Sequence, residues 1–167
     1  MSLQNKKILL IIGGGISAYK SLDLIRLLQR RKSSVKVVLT KSGKKFVTPL
    51  SVSSLLKNKV FEEMFEDNNK GKIDHIALSR WADLVLVLPA TANFMSKLSR
   101  GSADDLASTI ALASNKEIFL APAMNVRMWL HKATQKNLKS LKSVCSIFGL
   151  KTFIATLLPF LRVPLWT

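Results

Sequence analysis

The chain alternates short, wholly apolar runs with longer amphipathic ones. Lys6–Ile12 (KKILLII) has no polar position after its two lysines and stops at Gly13-Gly14-Gly15, the pattern of a strand buried on both faces. Ser17–Arg31 follows, with Leu22, Ile25, Leu27 and Leu28 at helical spacing and a basic opposite face. Val35–Leu39 is a second strand, and Phe46–Leu56 a helix with Pro49 in its first turn. Leu84–Leu88 and Glu117–Leu120 read as a third and a fourth strand, Ala103–Ala113 and Arg127–Leu141 as helices. Short apolar strands separated by helices predict a single α/β domain: a Rossmann-like, doubly wound parallel sheet flanked by helices. Ligands of such sheets sit beyond the carboxyl ends of the strands. The segments there are Gly13–Ser17, Thr40–Gly43, Pro89–Asn93 and Pro122–Asn125, all small, polar or glycine-rich, so one composite site is expected.

Composition changes this picture little. With 167 residues, 48% of them hydrophobic and 22% charged, the chain can bury a core of one domain. The lone Cys145 excludes a disulfide framework, and two histidines leave no cluster with zinc-site spacing. A reducing, cytoplasmic setting is expected. Lys6 and Lys7 precede an apolar run too short for a signal peptide. The tract Thr152–Leu161, broken by Pro159, falls well short of the about 20 residues that cross a bilayer. No membrane partner is therefore expected. Twenty-six Lys and Arg against 10 Asp and Glu give +16. The basic residues are spread along the chain without interleaved aromatics, so no nucleic-acid partner is expected, and anionic small substrates fit better.

Six segments carry candidate chemistry. In Gly13-Gly14-Gly15-Ile16-Ser17, absent side chains let a phosphate approach backbone N–H groups at a helix start. A dinucleotide site would want an acid at the end of the second strand; Thr40-Lys41-Ser42-Gly43 suits a phosphate better. Asp74 as an N-cap places His75 in the first turn of a short helix, a candidate base. Pro89-Ala90-Thr91-Ala92-Asn93 and Pro122-Ala123-Met124-Asn125 each present an asparagine, and two amides can hold a carboxylate without adding charge. Ser102-Ala103-Asp104-Asp105 reads as a helix start with acids in its first turn. Taken singly, each is also an ordinary loop or capping residue.

Taken together, IDHIALSRWADLVLVLPATANFMSKLSRGSADDLAS, FLAPAMNVRMW and ATQKNL resemble the flavin-containing cysteine decarboxylase family, over residues 5–142. The resemblance implies an FMN cofactor bound at a subunit interface of a homotrimer, or of a larger assembly of trimers. It implies Gly14, Gly15 and Ser17 at the flavin phosphate, Thr40 and Ser42 beside it, and Pro89, Ala90, Thr91, Ala92 and Asn93 against the flavin. His75 matches the catalytic histidine, and Asn125 the residue that holds the substrate carboxylate; Met128 and Trp129 shape the pocket. The reaction implied is decarboxylation of 4'-phospho-N-pantothenoylcysteine to 4'-phosphopantetheine, in coenzyme A biosynthesis. The cysteine thiol is oxidised to a thioaldehyde, carbon dioxide leaves, and the resulting ene-thiol is reduced.

Two departures from the family pattern matter. Ile11 and Gly13 stand where the family usually has Gly and Ser or Thr, so Ile11 is expected to crowd the loop and lower flavin affinity. Residues 143–167 read as a divergent apolar tail without the Ala-Cys-Gly…Gly-Arg-Met motif, whose cysteine serves the last reduction. Cys145 lies too early to replace it. The reaction is then expected to stop at the ene-thiol; the alternative is a non-catalytic FMN-binding module or regulatory subunit.

Overall fold

A computed structural model describes residues 3–63 and 74–148. Six parallel strands form one sheet in the order β3-β2-β1-β4-β5-β6: β1 Lys7–Ile12, β2 Ser34–Leu39, β3 Val60–Phe61, β4 Leu84–Ala90, β5 Glu117–Pro122 and β6 Ser146–Ile147. The helices are α1 Lys20–Arg30, α2 Pro49–Leu56, α3 Asp74–Trp81, α4 Ala92–Arg100, α5 Leu106–Ala113, α6 Val126–Leu130 and α7 Lys132–Leu141. The doubly wound sheet expected from the pattern is present.

Alternation along the central strands divides the core in two. Ile8, Leu10 and Ile12 of β1 face Ile25 and Leu28 of α1 and Val52 of α2. Leu9 and Ile11 face Leu78 of α3, Met95 of α4, Ile110 of α5 and Leu138 of α7. Both faces are covered, so the strands have no solvent side and read as unbroken apolar runs. Ile11 is fully buried, paired with Val38 and Val87. It fills the core beneath α3–α5 and does not crowd the glycine loop, which begins two residues later.

Several boundaries differ from the pattern. The helix expected from Ser17 opens as a 3-10 turn, Ile16–Tyr19, before α1. Pro89 and Ala90 belong to β4, and Thr91 caps α4 by accepting from the Phe94 N–H at 3.2 Å. The helix expected over Arg127–Leu141 is two helices. His131 breaks it with extended backbone (φ −63, ψ 134) and caps α7, its Nδ1 accepting from the Ala133 N–H at 3.2 Å. Asp105 is the N-cap of α5, not a first-turn acid, in a reciprocal box with Ser108. Of the expected tail, Ser146–Ile147 forms β6 against β5; residues 149–167 lie outside the described residues. No helix among the described residues is long and apolar enough to cross a membrane.

Candidate active site

Strand order reverses between β1 and β4, so the crevice of this sheet opens over their carboxyl ends. Three strand exits meet there, and the contact leaves no room for side chains. A Cβ at Gly13 would fall 2.2 Å from the Pro89 carbonyl oxygen, so in this chain the position cannot hold the Ser or Thr usual in the family without moving backbone. A Cβ at Gly14 would fall 2.4 Å from Ser42 Cβ. The Thr40 hydroxyl stitches the β1 and β2 exits, donating to the Ile12 carbonyl and accepting from the Gly43 N–H, both at 3.0 Å. On the other side the Ala123 N–H donates to the Ala90 carbonyl at 3.1 Å, tying the β4 and β5 exits. The Ser21 hydroxyl donates to the Leu88 carbonyl at 3.0 Å and fixes α1 beneath β4, next to the cis Leu88–Pro89 peptide.

Two clefts open on this platform and share Gly14, Thr91 and Asn93. The first, about 580 Å³, is bounded by Thr40, Ser42, Lys97 and the start of α5. The second, about 1220 Å³, is bounded by Gly15, Ser17, Asn125, Met128 and Trp129. The expected cofactor residues are thus divided. Gly14, Thr91 and Asn93 stand at the junction, Thr40 and Ser42 in the first cleft, Gly15, Ser17 and Ala92 in the second. Pro89 and Ala90 line neither: Ala90 is fully buried, and Pro89 closes over Gly13. The donor hydrogen of Thr40 is engaged by Ile12, so Thr40 shapes the loop, whereas the Ser42 hydroxyl and Asn93 amide make no side-chain hydrogen bond among the described residues.

In the second cleft Asn125 has a defined orientation. Its Oδ1 accepts from the Arg127 N–H at 2.8 Å as the cap of α6. The carbonyl side of the amide is therefore engaged and the NH2 group carries two unused donors, the right complement for a carboxylate. Asn93 lines the same cleft, so the two asparagines singled out by sequence do meet. His75 does not join them: it sits in the first turn of α3 and lines neither of these two clefts. Its Nδ1 is buried and has no hydrogen-bond partner among the described residues. Cys145 is half-buried, and burial pushes its thiol up to about 11, which keeps it protonated and a poor nucleophile.

Sequence reading missed the charged wall of the first cleft. Lys97 stands one turn beyond Asn93 on α4, hence on the same face. Its ammonium bridges Asp104 at 2.7 Å and Asp105 at 2.6 Å. Those two hydrogen bonds raise Lys97 above its usual 10.5. The Lys97 bond holds Asp104 below 3.8. Burial alone would raise Asp105, but bonds from Lys97 and Ser108 more than offset it, and it too lies below 3.8. Depressed carboxylates contribute stability above their unfolded value and lose it as pH falls through the folded one; a raised lysine loses its contribution as pH climbs above 10.5. The thermal midpoint is therefore expected to drop more steeply below pH 3.8 in the wild type than in Lys97→Met, as followed by circular dichroism. Parallel acid limbs in the two proteins would count against the clamp.

Comparison with known proteins identifies relatives of the whole domain. The chain is 44% identical over 143 residues to the coenzyme A biosynthesis bifunctional protein CoaBC of Haemophilus influenzae, covering 86% of this chain and 36% of that one. It is 41% identical to the CoaBC of Bacillus subtilis over 83% of this chain and 34% of that one. The chain thus spans about a third of the length of these relatives. The FMN-dependent cysteine decarboxylase SpaF superposes with a TM-score of 0.84 at 26% identity, over 96% of this chain and 99% of that one. A PPC decarboxylase cysteine-to-serine mutant complexed with pantothenoylaminoethenethiol gives 0.79 at 26% identity, over 96% and 100%. The Flavoprotein family model matches residues 1–158, and the chain belongs to that family.

Proposed function

We propose that the chain binds FMN and decarboxylates 4'-phospho-N-pantothenoylcysteine, in the manner of the CoaBC relatives and of the PPC decarboxylase that shares its fold. The observation that carries this reading is the free NH2 of Asn125, aimed by its capping bond beside a side-chain-free platform. The platform fits a flavin monophosphate. Gly14 leaves backbone accessible, and Ser42, Thr91 and Asn93 supply neutral donors around it. FMN, once bound, supplies the two-electron acceptor for the substrate thiol.

The residues of the chain do the rest. Asn125 holds the substrate carboxylate by two neutral N–H groups. A cation there would stabilise the charged ground state against neutral carbon dioxide and slow the step; an amide orients the group at less cost. Met128 and Trp129 present apolar surface in the same cleft, which favours loss of charge from the leaving carboxylate. His75 takes up or returns the proton, and does so in the cleft of a neighbouring copy within a homotrimer. The wall of the second cleft supports such a contact: Ile16, Val126 and Met128, apolar residues that line it, are 80%, 69% and 49% exposed.

Anaerobic addition of substrate to the FMN-loaded protein is expected to bleach the flavin absorption and release carbon dioxide. Mass spectrometry then reads whether the product is the ene-thiol or 4'-phosphopantetheine. Flavin that binds without bleaching would leave a binding module, and absence of flavin uptake would sink the reading altogether.

A further inference from the structure

The two clefts differ sharply in charge. Among the described residues seven charged side chains line the first, and the acids (Glu62, Glu63, Asp104 and Asp105) outnumber the lysines (Lys41, Lys44 and Lys97). Lys44 pairs with Glu62, and Lys97 with both aspartates, so these cations are neutralised in place. Among the described residues of the second cleft, Lys142 is the one charged side chain, with no carboxylate on that wall. It is the C-cap of α7, and its ammonium makes no ion pair among the described residues. Asn125 caps the start of α6 and Lys142 the end of α7, and both line this cleft.

On the reading above, the substrate brings two anionic groups into this cleft, a carboxylate and a phosphate monoester. Asn125 answers the carboxylate with neutral donors, as bond breaking there requires. The phosphate does not react, so a full positive charge can hold it without raising any barrier. We propose that Lys142 is a specificity-determining residue whose ammonium takes the phosphate monoester of the substrate. The apolar second cleft offers it one cation that no carboxylate on the same wall neutralises.

The test uses the reaction product, which keeps the phosphate and lacks the carboxylate. By titration calorimetry on the FMN-loaded full chain, 4'-phosphopantetheine is expected to bind about five-fold more tightly than pantetheine, the upper range for an exposed ion pair. Lys142→Met is expected to erase that preference, Lys142→Arg to keep it, and both to keep the wild-type thermal midpoint and FMN affinity. In turnover, Lys142→Met should raise KM by a similar factor with kcat within about two-fold. A preference that survives Lys142→Met overturns the proposal, as does a loss of FMN affinity in its place, which would assign the lysine to the cofactor phosphate. If the wild type binds both compounds equally, Lys142 alone is wrongly assigned; if it binds neither, the functional reading falls with it.

Discussion

Asn125→Asp is expected to reduce decarboxylation by at least about 100-fold while leaving flavin bound and the fold intact. The size follows from losing the orientation of the reacting carboxylate, on the order of 100-fold for a group misplaced by about 1 Å. The substitution is chosen because aspartate caps a helix as well as asparagine does. Its carboxylate would still accept the Arg127 N–H, which Asn125 Oδ1 takes at 2.8 Å, so α6 keeps its start. The remaining oxygen, however, replaces two donors with an acceptor and sets a negative charge against the substrate carboxylate. Asn125→Ala loses both the donors and the cap, about 1 kcal/mol, and is less informative for that reason. Flavin absorbance, thermal midpoint and carbon dioxide release measured on one preparation separate these effects. Near-normal release by Asn125→Asp would remove Asn125 from the substrate site.

Gly14→Val is expected to weaken flavin binding. The Cβ at this position would meet Ser42 Cβ at 2.4 Å and the Ser42 carbonyl carbon at 3.0 Å, and valine adds two methyl groups to that collision. The β1 and β2 exits must then part, and Thr40 can no longer bridge Ile12 and Gly43. Overpacking of this kind costs about 1–3 kcal/mol, which corresponds to a loss of roughly five- to 150-fold in flavin affinity if it falls on the bound conformation. Gly15→Ala is the control. Its nearest contact is Pro89 Cγ at 3.7 Å, an ordinary van der Waals distance, so the variant should bind flavin like the wild type. Equal flavin affinity in Gly14→Val and Gly15→Ala, by fluorescence quenching, would show that the platform does not hold the cofactor.

The legible parts of the fold were those with a single periodic signal. β1, β2, β4 and β5 each carry a run of buried apolar residues because helices cover both faces, and these runs stand out from the chain. β3 and β6 are two residues each and carry no period to detect. Helix α4 was hidden because Pro89–Asn93 reads as an exit loop; Phe94, Met95 and Leu98 do have helical spacing beyond it. The α6–α7 break has no glycine or proline to mark it, only the capping geometry of His131.

The sequence by itself determined the doubly wound sheet, the four strand exits and the asparagines and glycines placed on them, since these follow from period and residue type. Tertiary structure alone decided how those residues are used. It turned Ile11 into the core, engaged the Thr40 hydroxyl within its own loop, and divided one expected site into an acidic and an apolar cleft. It also left His75 outside both clefts and brought Lys97 and Lys142 to their walls. The physical reason is one of range. Strand and helix signals are local, whereas hydrogen-bond partners and cleft walls join residues far apart in the chain, such as Gly14 with Asn125, whose meeting only the strand order sets.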